Sequence, residues 1–216
     1  MTETETFDGV TGTVTTAAGS ERRLPGLVFA TIGAGFLTVT MLAAAMAPGY
    51  DFGGGAISDL GVVAETALLF NAGLVVVGVL NIAGGYLLYR VHRARSLFAV
   101  YVVAGVAAAG VGLFPLDTGA AHSLFALLAF VAFNVQAIAT GRRLAGPMRT
   151  VSVLAGLVGL AFVVVMAVGD AGTPAVFGPI GHGGAERMIV YPPMVWLLAL
   201  GGYLLADGAV REKGTN

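Results

Sequence analysis

The chain has 216 residues, 57% of them hydrophobic and 11% charged, with a net charge of −1 and no cysteine; its mean hydropathy is +0.89. Soluble domains carry about 45–50% apolar and about 25% charged residues, so this chain has too little polar surface to cover a water-exposed globule. It is also too apolar to be disordered over most of its length. Without a basic excess to neutralise phosphates, nucleic acid is excluded as a partner. The lack of cysteine excludes disulfides, thiolate metal sites and a thiol nucleophile.

The first 20 residues, MTETETFDGVTGTVTTAAGS, are rich in Thr, Gly and acids and show no period. With Arg22 and Arg23 they read as a disordered tail over residues 1–23. The apolar run from Leu24 to Ala47 is longer than the 7–15-residue core of a signal peptide. Pro48 stands where a cleavage site would fall, and paired arginines without a soluble passenger are a poor export signal. The run therefore reads as a first transmembrane helix. Five more runs, at 62–89, 97–114, 120–141, 150–169 and 189–207, are close to the roughly 20 residues that a bilayer crossing needs. The connections between them are rich in Gly, Pro and polar residues. The expected fold is an all-α membrane protein, a six-helix bundle over residues 24–207 with a short tail at 208–216.

An even number of spans puts both termini on one side, and the basic residues say which. Arg22 and Arg23, then Arg90, Arg93 and Arg95, then Arg142, Arg143 and Arg149, and finally Arg211 and Lys213 alternate with the spans. Of the eleven basic residues only Arg187 falls on the opposite face. Positively charged loops stay in the cytoplasm, so both termini are expected inside a cell membrane. Tyr50, Tyr191 and Trp196 then mark the outer boundary, and Tyr86, Tyr89 and Tyr203 the inner one.

Two polar stripes run along the helices. Asn71, Gly78, Asn81 and Gly85 share one face of span two, and His122, Ala126, Ala129, Gln136 and Thr140 one face of span four. Both are expected to point into the bundle, where amides hydrogen-bond neighbouring helices or line the path of a ligand. No charge accompanies them at mid-membrane, which argues against proton-coupled transport.

Chemistry-capable side chains gather at the outer ends: Asp51, Ser58, Asp59 and Glu65; Asp117 and His122; Asp170; and His182, Glu186 and Arg187. His92 lies in the basic inner loop and reads as solvated. Three arrangements are open to the outer set. His182 and Glu186 are four apart and, on a helix, would share a face; with His122 and Asp117 or Asp59 they could hold a divalent metal as cofactor. Metal-activated water could then hydrolyse a lipid head group, with Asp59, His122, His182 and Glu186 as catalytic candidates. Against this, GPIGHGG is a poor helix start, and no H-E-x-x-H is present. In the second arrangement Arg187 forks onto Asp59 or Asp117 as a structural clamp, which ranks first for these residues. In the third the bundle carries solute or electrons, but His122 and His182 on one side exclude a transmembrane haem pair. Ser58 and Asp59 read as a helix cap, not as a nucleophile, since no G-x-S-x-G surrounds them. Glu65 would sit in the first turn of a helix starting near Leu60 and favour its dipole. Gly53–Gly55 precedes no strand and reads as a flexible loop.

The order Ile57-Ser58-Asp59-Leu60-Gly61, Phe70-Asn71, Gly112-Leu113-Phe114-Pro115, His122, Gly184-Ala185-Glu186-Arg187 and Trp196 resembles domain-of-unknown-function family 998, small multi-spanning membrane proteins of archaea and bacteria. The resemblance runs from span one to span six and leaves out the N-terminal tail. It implies six spans and a shared pattern that includes Ser58, Asp59, Asn71, His122, Glu186 and Arg187. It implies no activity. The expected function is a small membrane module that binds a lipid, an apolar solute or a membrane partner through a polar cluster of Ser58, Asp59, Glu65, Asn71, Asp117, His122, Glu186 and Arg187. The alternative is the metal-assisted hydrolase acting on a lipid or other interfacial substrate.

Overall fold

The computed structural model describes the backbone of residues 9–213 and the side chains of residues 23–206. Six α-helices follow one another: α1 Gly9–Met46, α2 Ala67–His92, α3 Arg95–Leu113, α4 Ala120–Gly141, α5 Gly146–Asp170 and α6 Gly181–Lys213. Short 3₁₀ turns stand at Ile57–Gly61, Leu116–Thr118 and Pro174–Ile180. All six helices are long and apolar enough to cross a membrane, and no strand occurs among the described residues. The chain is an integral, multi-pass membrane protein. Residues 1–8 of the expected tail lie outside the described residues; from Gly9 onward the backbone belongs to α1.

The helix limits differ from the expected ones where local composition misleads. α2 starts at Ala67, not at residue 62, because Ile57–Gly61 is wound as a 3₁₀ turn and only then does the chain enter the bundle. The basic link between α2 and α3 shrinks to Arg93 and Ala94. Arg93 takes a left-handed conformation (φ 53°) and donates its N–H to the Tyr89 carbonyl, ending α2 in one residue. α6 starts at Gly181, so the Gly-rich stretch that was expected to resist helix formation is its first turn.

Each helix packs on the next, α6 closes the ring against α1, and α4 also touches α6 across it. In lipid such packing depends on close backbone approach and on hydrogen bonds between helices. Gly78 of α2 and Gly105 of α3 face one another so tightly that a Cβ on either would meet the other's carbonyl. Gly33 of α1 lies in the same way against Met194, and Gly201 of α6 against Gly26.

The two polar stripes meet inside the ring. Asn81 and Gln136, both fully buried, exchange two amide bonds of 2.9 and 3.0 Å between α2 and α4. Asn81 also donates to the Tyr101 carbonyl on α3 (3.0 Å), and the Tyr101 hydroxyl lies 3.0 Å from that of Thr140. The amides are therefore spent on one another as a three-helix tie. A further tie compensates a proline. Pro193 within α6 has no N–H to give the Ile189 carbonyl one turn back; Asn134 of α4 supplies that bond from Nδ2 at 3.1 Å. Trp196, expected at the outer boundary, is only 1% exposed and donates to Ser152 of α5 at 2.7 Å.

Candidate functional site

The α1–α2, α3–α4 and α5–α6 connections share one end of the bundle, the rim. There the α1–α2 loop folds over the start of α6. Asp51 turns the loop by accepting the N–H groups of Gly53 (2.9 Å) and Gly54 (2.8 Å), and these bonds hold its carboxyl below the usual carboxylate range. Gly183 donates its N–H to the Gly53 carbonyl (2.9 Å). A side chain at Gly183 would run into the Gly55 carbonyl, so the contact of loop and helix requires glycine at that position.

Arg187 fastens this contact. It is 8% exposed, and Nη1 donates to the carbonyls of Phe52 (2.9 Å), Gly55 (3.1 Å) and Gly183 (2.7 Å). Nη2 donates to the Tyr50 hydroxyl at 2.6 Å, which itself donates to the Ala56 carbonyl at 2.7 Å. The guanidinium also lies over the rings of Phe52 and Tyr50, 4.8 and 5.6 Å from their centroids, within cation–π range. Burial raises the Tyr50 pKa against the opposing pull of Arg187, so the phenol stays a neutral donor. A clamp thus exists, but the expected partners are corrected. Arg187 does not fork onto Asp59 or Asp117; it binds the backbone carbonyls of Phe52 and Gly55 in the loop and of Gly183 in the first turn of α6.

Glu186, beside it and 6% exposed, points the other way. Its carboxyl accepts the N–H of Ile57 at 2.5 Å and so caps the 3₁₀ turn. Asp59 completes that turn by accepting the Ala56 N–H at 2.8 Å. Asn71 donates to the Gly61 carbonyl (2.8 Å) and Thr66 to that of Leu60 (2.7 Å), so the turn is held from both ends. Glu65 is exposed and precedes α2, so it favours no helix dipole. Asp117 is exposed on the Leu116–Thr118 turn.

The imidazoles go separate ways. His122, 4% exposed, meets the Phe114 carbonyl through Nδ1 at 2.9 Å. His182 lies 3.3 Å from Asp170 through Nε2 and edge-on to Phe177. Among the described residues no three His, Asp or Glu side chains converge closely enough to hold a metal ion. The trio expected for metal, His122, His182 and Glu186, is therefore not gathered as a ligand set, although all three reach one cavity.

That cavity is the main finding at the rim. It measures about 240 Å³ and lies between α4, α5 and α6, with Ser58, His122, Asp170, His182 and Glu186 around its mouth and Ala126, Phe130, Met166 and Ile189 below. A second lobe of about 70 Å³ runs into the ring interior, walled by Phe36, Leu74, Phe133 and Met194. Ser58, His122 and Glu186 border both lobes. The space exists because α4 and α5 touch through small residues only in their half away from the rim, where Gly141 meets Ser152 and Gly156 and Gly159 meet Asn134. Towards the rim larger side chains, Phe130 of α4 and Val163 and Met166 of α5, line the space between them. Leu127 and Ala167, both exposed, stand at the opening.

Phe130 was not singled out by sequence reasoning, and Tyr50 was read only as an outer-boundary aromatic, not as a partner of Arg187. Their roles depend on where a distant element packs. Pro193 did carry a local signal, since a proline inside a spanning helix calls for a donor from a neighbour, and Asn134 is that donor.

The sequence pattern of the family described as a protein of unknown function, DUF998, matches residues 29–203. No curated protein and no solved structure matches the chain. The matched residues run from α1 to α6 and take in the whole rim with both lobes of its cavity, and the chain belongs to the DUF998 family.

Proposed function

We propose that the protein is a membrane module of the cell membrane that takes an amphiphile from the surrounding lipid into the cavity between α4, α5 and α6. The observation that carries this reading is a polar mouth above an apolar floor, open beside lipid-facing Leu127 and Ala167. A spanning bundle with no ligand to admit gains contacts by closing such a gap, since voids in a core cost roughly 24 cal/mol per Å³. Small-molecule sites are apolar clefts with a few polar groups that fix orientation, and this cavity has that make-up. Its floor suits a chain and its mouth a head group. The reading needs no metal, because His122 and His182 are each held by a partner other than a ligand set.

Ala126 borders both lobes and is the position from which to fill them. Native mass spectrometry of protein extracted in mild detergent is expected to show a bound amphiphile in the wild type and its loss in Ala126→Trp. Elemental analysis of the same sample is expected to find no stoichiometric divalent ion. If Ala126→Trp folds and keeps the same bound species, the cavity is not the site. If a stoichiometric metal is found and lost on His122→Ala, the metal-assisted reading replaces this one.

A further inference from the structure

We infer that the head group this cavity accepts is a cationic amine on a single apolar chain. The inference rests on the amphiphile reading above and narrows it to a chemical class.

The first ground is charge. Among the described residues no Lys or Arg lines either lobe, while Asp170 lines the larger one and Glu186 both. The one basic residue of the rim, Arg187, adjoins Glu186 in sequence, but its guanidinium is turned away from the cavity and committed to three carbonyls and the Tyr50 hydroxyl. A phosphate or carboxylate head would enter beside two carboxyl groups with no Lys or Arg to meet it. Phosphate and carboxylate recognition ordinarily uses an Arg fork or an ammonium.

The second ground is hydrogen-bonding sense. A carbonyl can only accept, so the contact of His122 Nδ1 with the Phe114 carbonyl places the proton on Nδ1. A neutral ring then presents Nε2 as an acceptor. His122 is 4% exposed, borders both lobes, and makes no hydrogen bond through Nε2 within the described residues. Asp170 is an acceptor too, with His182 Nε2 3.3 Å from its carboxylate. Beside the Ser58 hydroxyl, which can give or take a hydrogen bond, Nε2 of a neutral His122 and the Asp170 carboxylate are acceptors that suit a donor. An ammonium supplies several N–H bonds and the complementary charge in one small group.

The third ground is size. Lobes of about 240 and about 70 Å³ are at the lower limit of small-molecule sites, roughly 300–1,000 Å³. They fit a compact head and part of one chain.

The test uses the full-length protein in phosphatidylcholine nanodiscs and five probes that share a dodecyl chain: dodecylamine, dodecyltrimethylammonium, dodecanol, dodecanoate and dodecyl phosphate. Specific binding is the excess over the cavity-filled Ala126→Trp variant. Dodecylamine is expected to bind one-to-one and more tightly than the others. Asp170→Asn is expected to weaken it about tenfold, the effect of losing one charge-assisted hydrogen bond, while leaving dodecanol unchanged. Glu186→Gln can unseat the Ile57 turn, so Asp170→Asn is the deciding variant: its carboxylate side chain is 56% exposed and caps no turn. Equal or tighter binding of dodecanoate or dodecyl phosphate overturns the amine assignment and leaves the amphiphile reading standing. So does equal binding of all five heads, or an unchanged dodecylamine affinity in Asp170→Asn. Absence of specific binding by every probe overturns both.

Discussion

Arg187 shows why a lone base among carboxylates need not be their partner. An ion pair at the rim would gain modest Coulomb energy in wet surroundings, whereas the backbone carbonyls of Phe52, Gly55 and Gly183 converge at the contact of loop and helix and call for donors. A guanidinium supplies several donors from one plane, and the loop wraps around it. Two substitutions separate the carbonyl clamp from an ion-pair clamp. Arg187→Ala strips donors from a buried site and is expected to cost about 3 kcal/mol, seen as a lower unfolding midpoint in detergent. Arg187→Lys keeps the charge but not the fork and should recover only part of that loss. Asp117→Asn, which an ion-pair clamp through Asp117 would make as damaging as Arg187→Ala, is expected to stay within about 0.5 kcal/mol of wild type. Arg187 was legible in the sequence as a clamp from its isolation on the wrong face. Its acceptors were not, because backbone carbonyls leave no mark in a sequence.

At the scale of elements, what was legible follows from how each element is stabilised. A spanning helix satisfies its own backbone within the segment, so apolar run length alone located all six helices to within a few residues over most of their length. The Ile57–Gly61 turn depends on Glu186, 129 residues away, and the start of α6 depends on a glycine contact with the α1–α2 loop; neither has a local period to read. The cavity was equally hidden, since it depends on how α4, α5 and α6 pack together at the rim. Two predictions belong at this scale. Gly78→Ala places a methyl group against the Gly105 carbonyl and must separate α2 from α3, whereas Gly35 of α1 has open space around it. Thermal unfolding should show Gly78→Ala destabilised and Gly35→Ala neutral or slightly stabilised through helix propensity, by about 0.5–1 kcal/mol; equal effects would mean that the α2–α3 contact is not limiting. The Asn134–Pro193 compensation gives a double-mutant cycle. Asn134→Ala is expected to cost about 1–2 kcal/mol, chiefly by orphaning the Ile189 carbonyl. In a Pro193→Ala background, where α6 regains its own N–H at that position, the cost should fall by about 1 kcal/mol. Strict additivity would show that Asn134 serves some other purpose.

For the whole molecule the open question is which way the rim faces, and the structure alters how the charges are counted. By loop charge, the end carrying both termini holds ten of the eleven basic residues, and Arg187 looks like the single exception. Buried to 92% by contact with the α1–α2 loop (it is 8% exposed) and bound to carbonyls, it is a structural group of the folded rim more than a free loop charge. The connections that remain to be sorted are then basic at one end, with Arg90, Arg93, Arg95, Arg142, Arg143 and Arg149, and acidic at the other, with Asp51, Asp59, Glu65, Asp117 and Asp170. From the retention of positive loops in the cytoplasm we expect the rim outside and the cavity mouth beside the outer leaflet. The chain has no cysteine to remove, so single-cysteine labelling needs one substitution per position. Arg93→Cys, at the exposed turn between α2 and α3, is expected to react with a membrane-impermeant maleimide only after permeabilisation. Asp117→Cys, exposed on the rim, should react in intact cells. The reverse pattern would turn the molecule over and direct the cavity to the inner leaflet; the amphiphile site would survive, because its floor, mouth and lateral opening are properties of the bundle and not of the side it faces.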